Sequence, residues 1–194
     1  MAAPHISPFD LDKSALRARL RAVRRPPHGE ALMALERHLE QAIDVLRPDH
    51  SPVIAAFLPI GGEPDLSALL ARLHAQGLAI ALPDTPECPA PLRFRRWWPG
   101  CAMRAGRFGT LVPQTMEIVP ELLIVPLLGF DADLHRLGQG GGFYDRTLAA
   151  LPGARSVGVG IEALLLDSVP VGPHDIGLDA VATETRLRMK GGAA

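Results

Sequence analysis

LIVPLLGFDADLHRLGQGGGFYDRTL, residues 123–148, decides how this chain is read. The apolar run Leu122 to Leu128 has the length and composition of a strand buried on both faces. A loop follows that carries Arg136 and four glycines, Gly138, Gly140, Gly141 and Gly142. Phe143, Tyr144, Asp145 and Arg146 then open a helix. Glycine lets backbone N–H groups turn inward and approach a ligand closely. A helix start adds unpaired N–H donors and partial positive charge, which suit phosphate. Arg136 and Arg146 supply fixed positive charge, whereas Asp145 repels phosphate unless a cation stands between them. Arginine, glycine loop and acid together point to a Mg-nucleotide site. A plain flexible turn is the alternative, but so many glycines cost entropy on folding that some gain must offset.

Outward from that segment, strands and helices alternate. Asp10 to Arg25 reads as a helix stopped by Pro26-Pro27. At about 100° per residue, Lys13, Arg17, Arg21 and Arg24 share an arc of about 80° beside an apolar arc of Leu16, Leu20 and Val23. Taken alone, Lys13 and Arg17 read as a solvated helix face, and Arg21 and Arg24 as surface charge. His28 to Leu46 is a second helix. Val53 to Leu58 and Leu78 to Leu82 are short buried strands, separated by a helix through Leu66, Leu69, Leu70 and Leu73 that Gly77 ends. Leu92 to Trp98 reads as an exposed strand, Phe143 to Ala150 as a helix and Ser156 to Ile161 as another buried strand. The pattern predicts a three-layer α/β/α domain around a mostly parallel sheet, with residues 1–194 forming one domain and 1–9 and 191–194 flexible. Ligands are then expected beyond the carboxyl ends of the strands, where the loops after Leu58 and Leu128 depart.

Composition narrows the function classes. A formal net charge of −1 gives no basic face for nucleic acid or acidic lipid. No apolar run is long enough to span a membrane, and MAAPHISPFDLDKS lacks the basic and apolar regions of a secretory signal. Cys88 and Cys101 have no metal or C-x-x-C spacing and read as reduced structural thiols. A cytoplasmic monomer is expected, with no nucleic-acid or membrane partner. His38, His50 and His74 have no partner spacing, and neither His135 nor His174 reads as an acid or base. The glycine loop is not a Walker motif, since no Gly-Lys-Ser/Thr follows, and Phe143 stands where a dinucleotide fingerprint needs its third glycine. Gly158 to Ala163 satisfies G-x-G-x-x-A, with Asp179 at a tempting distance. Pro170 and Pro173 interrupt what should follow, leaving a nicotinamide-dependent oxidoreductase as a weak option.

RLGQGGGFYDR, preceded by the Phe130-Asp131 pair, resembles the signature of the 5-formyltetrahydrofolate cyclo-ligase (methenyltetrahydrofolate synthetase) family. The likeness takes in Lys13 and Arg17, FLPIGGEPDL (57–66), LRFRRW, GRFG and HDIGLDAVATE (174–184). It implies ATP contacts from Lys13, Ser14, Ala15, Leu16 and Arg17, and from Arg136, Leu137, Gly138, Gln139, Gly140, Gly141, Gly142, Phe143 and Tyr144. Folate contacts are implied for Leu58, Glu63 and Gln139 to Phe143, and Mg²⁺ contacts for Asp145 and Asp175. Arg136, Lys13 and Arg17 are the implied catalytic cations. The implied reaction is ATP-dependent closure of 5-formyltetrahydrofolate to 5,10-methenyltetrahydrofolate, giving ADP and phosphate. Trp97 or Trp98 is a further, weaker candidate for stacking on the folate. Four positions depart from the family pattern. Phe143 replaces the first tyrosine of a Tyr-Tyr-Asp run, Gly141 stands where some relatives carry lysine, and Leu127 and Leu134 stand where glycine is common. These departures keep open a divergent nucleotide- or folate-binding homologue without turnover.

Overall fold

The structure is a computed structural model that describes residues 8–48 and 52–191. Its elements are α1 (Pro8–Val23), α2 (Glu30–Leu46), β1 (Val53–Ala55), α3 (Ser67–Ala75), β2 (Ala79–Asp84), β3 (Arg93–Trp97), β4 (Met103–Ala105), β5 (Leu111–Pro113), β6 (Leu122–Pro126), β7 (Gly129–Phe130), β8 (Arg136–Leu137), α4 (Phe143–Ala150), β9 (Arg155–Val159), β10 (Ala180–Ala182) and β11 (Leu187–Met189). Seven strands form one sheet in the order β11-β10-β9-β6-β1-β2-β3. The five inner strands are parallel, and β3 and β11 close the two edges antiparallel.

β6 shows why the inner strands are apolar at every position. Leu122 and Ile124 face the cluster under α2 and α3, while Leu123 and Val125 face the opposite cluster with Leu148 of α4. A strand alternates its side chains between faces, so covering both faces requires a continuous apolar run. α2 meets its face through Leu35, Leu39, Ala42 and Ile43, one helical stripe. Arg72 of α3 bonds Glu36 of α2 at 2.8 Å, tying the two helices of that layer together. α1 instead lies across the carboxyl ends of the strands, where Leu20 packs with Leu128, Leu137 and Leu164.

The three-layer, mostly parallel architecture matches the sequence expectation, with differences in extent. β1 stops at Ala55, three residues before the apolar run ends, because the chain leaves the sheet there to line a cavity. The segment 174–184 contains a strand, β10, that its sequence hides: three short residues, Ala180, Val181 and Ala182, are all buried. Pro8 and Phe9 lie within α1 and Gly191 within a turn; residues 1–7 and 192–194 of the expected flexible ends lie outside the described residues. Cys88 and Cys101 are free thiols, exposed and buried respectively. Among the described residues no helix is long and apolar enough to cross a membrane.

Gly158 and Gly160 belong to packing. A Cβ at Gly158 would stand 2.6 Å from Leu127 and from Leu178, and one at Gly160 would stand 2.9 Å from Leu127. These glycines let apolar side chains lie against β9 and do not line the cavity described below, which removes the basis of the oxidoreductase option.

The carboxyl-terminal edge depends on Glu162, which accepts bonds from Arg188 (2.6 and 2.9 Å) and from Thr183 Oγ1 (2.8 Å). The Arg188 bonds are the main reason this carboxyl sits below its usual 4.5, against the opposing effect of burial. A depressed carboxylate contributes stability that is complete above its unfolded pKa and is lost as pH falls through the folded value. Glu162→Gln should therefore cost about 1 kcal/mol near neutral pH, and the difference from wild type should disappear once pH has fallen below the depressed folded value. Urea unfolding at both pH values checks this.

Candidate functional site

The carboxyl ends of β1, β2 and β6 open into a cavity of about 590 Å³. Phe57, Leu58 and Pro126 continue the strands into its floor, and Pro83 and Thr85 add the end of β2. α1 contributes Lys13 and Arg17. The glycine segment, from Arg136 through Asp145, forms a long stretch of wall, and Glu63 and Asp175 add two further carboxylates to its lining. Phe108, Thr110 and Leu111, from the β4–β5 hairpin, complete the rim.

Loop 138–142 is held by its carbonyls. Arg17 Nε donates to Gly138 O (2.9 Å), Arg21 Nη2 to Gln139 O (3.1 Å) and Arg146 Nη2 to Gly141 O (2.6 Å). Gly140 and Gly142 have φ of 105° and 63°, a region that favours glycine. Among the described residues, no N–H from Gly138 to Gly142 donates to a protein acceptor. Carbonyls turned to arginines and amides left to the cavity, just before the N-terminus of α4, make an anion-receptive wall.

Four charged side chains in this wall form two pairs. Arg136 Nη2 donates to Asp145 Oδ1 at 2.7 Å and its Nη1 to Ile176 O, while Ile176 N returns a bond to Asp145 Oδ1 (3.2 Å). Lys13 Nζ donates to Asp175 Oδ2, which also accepts Gly172 N at 2.6 Å. Burial alone would push the Asp175 carboxyl up; the Lys13 bond, the Gly172 N–H and the nearby Arg136 charge outweigh it and hold it below the usual range. Burial, with Glu63 nearby, pushes the Tyr144 phenol up, so it stays protonated.

Asp145 and Asp175 suit a hard cation such as Mg²⁺. Each has one oxygen bonded to protein and a second without a protein partner among the described residues. The described residues that line the cavity include no histidine or cysteine, so the metal-ligand atoms they offer are oxygen. A second acidic group, Asp131, Asp133 and His135, brings its ligand atoms within 4.8 Å. It is a turn clamp. Asp131 Oδ1 accepts Asp133 N (3.1 Å) and His135 N (2.9 Å), and Oδ2 accepts Val169 N (2.9 Å) and His135 Nδ1 (3.3 Å). Both oxygens are thus engaged. The clamp holds Leu134 at φ 64°, a left-handed conformation that costs a leucine energy and explains why glycine suits the position.

Of the expected site residues, Lys13, Arg17, Leu58, Glu63, Arg136 to Asp145 and Asp175 gather on one cavity. Ser14 and Ala15 are exposed, and Leu16 packs beside Leu20, so these three lie off its wall. Neither tryptophan lines it; Trp97 packs against the core and Trp98 is exposed. Arg21 is surface charge as expected, but the same expectation for Arg24 is corrected. Arg21 holds Gln139, and Arg24 is buried 3.6 Å from Glu63. Helical spacing placed both on the right arc, but which part of that arc is covered depends on loops distant in sequence. Phe108 was legible only within the GRFG segment, without a role. Its ring meets Phe143 edge-on, with centroids 6.3 Å apart.

An open α/β sheet with a paired-charge cavity at its carboxyl edge defines an α/β protein whose candidate site lies where such sheets bind ligands. Residues 10–184 match the 5-formyltetrahydrofolate cyclo-ligase family. The chain is 35% identical over 144 residues to the 5-formyltetrahydrofolate cyclo-ligase of Mycolicibacterium smegmatis, covering 69% of this chain and 74% of that one. It is 33% identical over 143 residues to that of Escherichia coli K12, covering 69% and 79%. The solution structure of Aquifex aeolicus 5,10-methenyltetrahydrofolate synthetase superposes with a TM-score of 0.74 at 27% identity, covering 94% of both chains. The chain belongs to the 5-formyltetrahydrofolate cyclo-ligase family.

The Asp131 clamp yields a stability prediction. Asp131→Ala leaves three backbone N–H groups without their acceptor and should cost about 3 kcal/mol or more. Denaturant unfolding measures the loss.

Proposed function

We propose that this chain converts 5-formyltetrahydrofolate to 5,10-methenyltetrahydrofolate with ATP and Mg²⁺, acting as a cytoplasmic monomer. The observation that carries the reading is the gathering of Lys13, Arg17, Arg136, the open amides of the glycine loop and the Asp145–Asp175 oxygens around one cavity. A formyl carbon on nitrogen is a poor electrophile. In the proposed course its oxygen attacks the γ-phosphorus of ATP and ADP departs, leaving the oxygen as a phosphate ester. N10 then attacks the formyl carbon, loses its proton, and the C–O bond breaks to release phosphate as the ring closes. No protein nucleophile is needed.

The chain's own part is alignment and charge compensation. Loop 138–142, with Arg17 and Lys13 of the segment 13–17, would hold the phosphates, and Arg136 would meet the charge that develops during transfer. Asp145 and Asp175 would hold Mg²⁺, which supplies charge neutralisation on the phosphate oxygens. Glu63 and Leu58 would face the pterin, whose edge offers N–H donors to a carboxylate. Ser14, Ala15 and Leu16 would act by setting the helix that carries Lys13 and Arg17.

The test is the near-ultraviolet absorbance of methenyltetrahydrofolate from purified protein, 5-formyltetrahydrofolate, ATP and Mg²⁺. A rise that requires ATP is expected. A flat trace from folded, ATP-binding protein would sink the proposal in favour of a binding homologue, the reading that Phe143 and Gly141 motivate. Arg136→Ala should lower kcat about 100-fold or more. Because that change also strands Asp145, circular dichroism must show a retained fold, and near-normal turnover would remove Arg136 from the chemistry.

A further inference from the structure

Arg24 is a buried cation to which the proposed reaction gives no role. It is 6% exposed, directly after α1, and Nη2 donates to the carbonyls of Ile60 (3.2 Å) and Gly61. Among the described residues Nε and Nη1 are buried without a hydrogen-bond partner, although Nη1 lies 3.6 Å from Glu63 Oε1. Burying a guanidinium with idle donors is costly and calls for a reason. The loop after β1 wraps around it. A Cβ at Gly61 or Gly62 would lie 3.5 or 3.6 Å from the guanidinium, and both residues have positive φ, at 54° and 89°.

Glu63 is what this wrapping presents to the cavity. It is also 6% exposed; Oε2 accepts Ile60 N (3.0 Å) and Oε1 accepts Gln139 Nε2 (3.4 Å). The groups around it are Arg24 from the end of α1, the neutral Gln139 amide (itself held by Arg21) and the Tyr144 phenol from α4. Arg24 supplies the positive charge in direct contact. Burial pushes the Glu63 carboxyl up, and the Ile60 N–H and the Arg24 charge work against that. Arg24 itself is not part of the cavity wall.

We propose that Arg24 is a positioning residue for substrate: it holds Glu63 as an anion and clamps loop 60–63, so that the carboxylate meets a ligand edge that carries N–H donors. The inference rests on the proposed function for the identity of that ligand, a pterin. A carboxylate accepts from two N–H groups at once, whereas a protonated carboxyl gives up one acceptor and opposes a donor with a donor. Ligand affinity thus depends on a cation that never touches the ligand.

Two readouts separate this inference from the proposed function. Carboxyl ¹³C NMR of glutamate-labelled, ligand-free protein, with Glu63→Gln to identify the signal, follows Glu63 ionisation directly. Arg24→Gln keeps donors for the loop carbonyls but removes the charge, and should raise the Glu63 midpoint by about one pH unit or more. Arg24→Lys should restore a midpoint near that of wild type, and it carries the comparison with wild type should the Gln variant not fold. In the same variants, 5-formyltetrahydrofolate affinity at the wild-type Glu63 midpoint should fall about fivefold or more in Arg24→Gln and recover as pH is raised through the variant's own midpoint, while Mg-ATP affinity stays within about twofold. An unmoved Glu63 midpoint in a folded Arg24→Gln protein, or a midpoint in Arg24→Lys well above wild type, overturns the inference. A wild-type protein that fails to bind the folate removes the ligand, and with it the proposed function, even if Glu63 titrates as described.

Discussion

Ion pairing in and directly behind one cavity wall is the constraint on which the rest of this site depends. Lys13 with Asp175, Arg136 with Asp145 and Arg24 with Glu63 bring three cations and three carboxylates out of bulk water. Such pairs contribute little net stability, because desolvation offsets much of the attraction. Removing one partner, however, leaves an uncompensated buried charge. Lys13 and Arg136 can therefore stay charged at the wall because an acid accompanies each, and Asp145 and Asp175 stay charged there because those cations accompany them.

The sheet makes that pairing possible by bringing distant segments to one edge. Five parallel strands present their carboxyl ends on the same side, so the loops after β1 and β6 meet there and α1 can lie across them. Lys13 and Asp175 are 162 residues apart in sequence and bond directly. The Asp131 clamp works one step further back. By collecting backbone N–H groups of the β7–β8 turn and of Val169, it fixes the strand pair from which Arg136 projects. The placement of Arg136 in the cavity wall thus rests on a carboxylate that does not enter the cavity.

What could be read from sequence was local. The continuous apolar run through β6 announced a strand covered on both faces, and glycines before Phe143-Tyr144-Asp145 announced an open loop at a helix start. What could not be read was partnership across the chain. The arc of Lys13, Arg17, Arg21 and Arg24 was correct as helical geometry. It did not distinguish Arg24, sealed beneath the loop after β1, from Arg21, which stays exposed while holding Gln139. β10 escaped because three buried small residues carry no alternation. Its motif was visible, but its place beside β9 was not. The tryptophans erred the other way: flat rings suit a flat ligand, yet these two sit on or near the β3 edge, away from the cavity.

The departures from the family pattern are not independent of one another. A Cβ at Gly141 would stand 2.8 Å from the ring of Phe143, and Arg146 lies over that same ring at 5.0 Å while bonding Gly141 O. A side chain at 141 and an aromatic ring in its present rotamer compete for one volume, so a lysine there would require the ring to turn and Arg146 to lose its stacking surface. Phe143 and Gly141 are in this sense one adjustment, in which a ring and an arginine occupy the space of a flexible cation. Leu134 is different in kind. It pays for a left-handed backbone with a side chain buried against the sheet face opposite α2, so glycine there would relax the turn but empty part of that core. The first adjustment bears on how the loop meets an anion, and the second only on how the clamp beneath it is held.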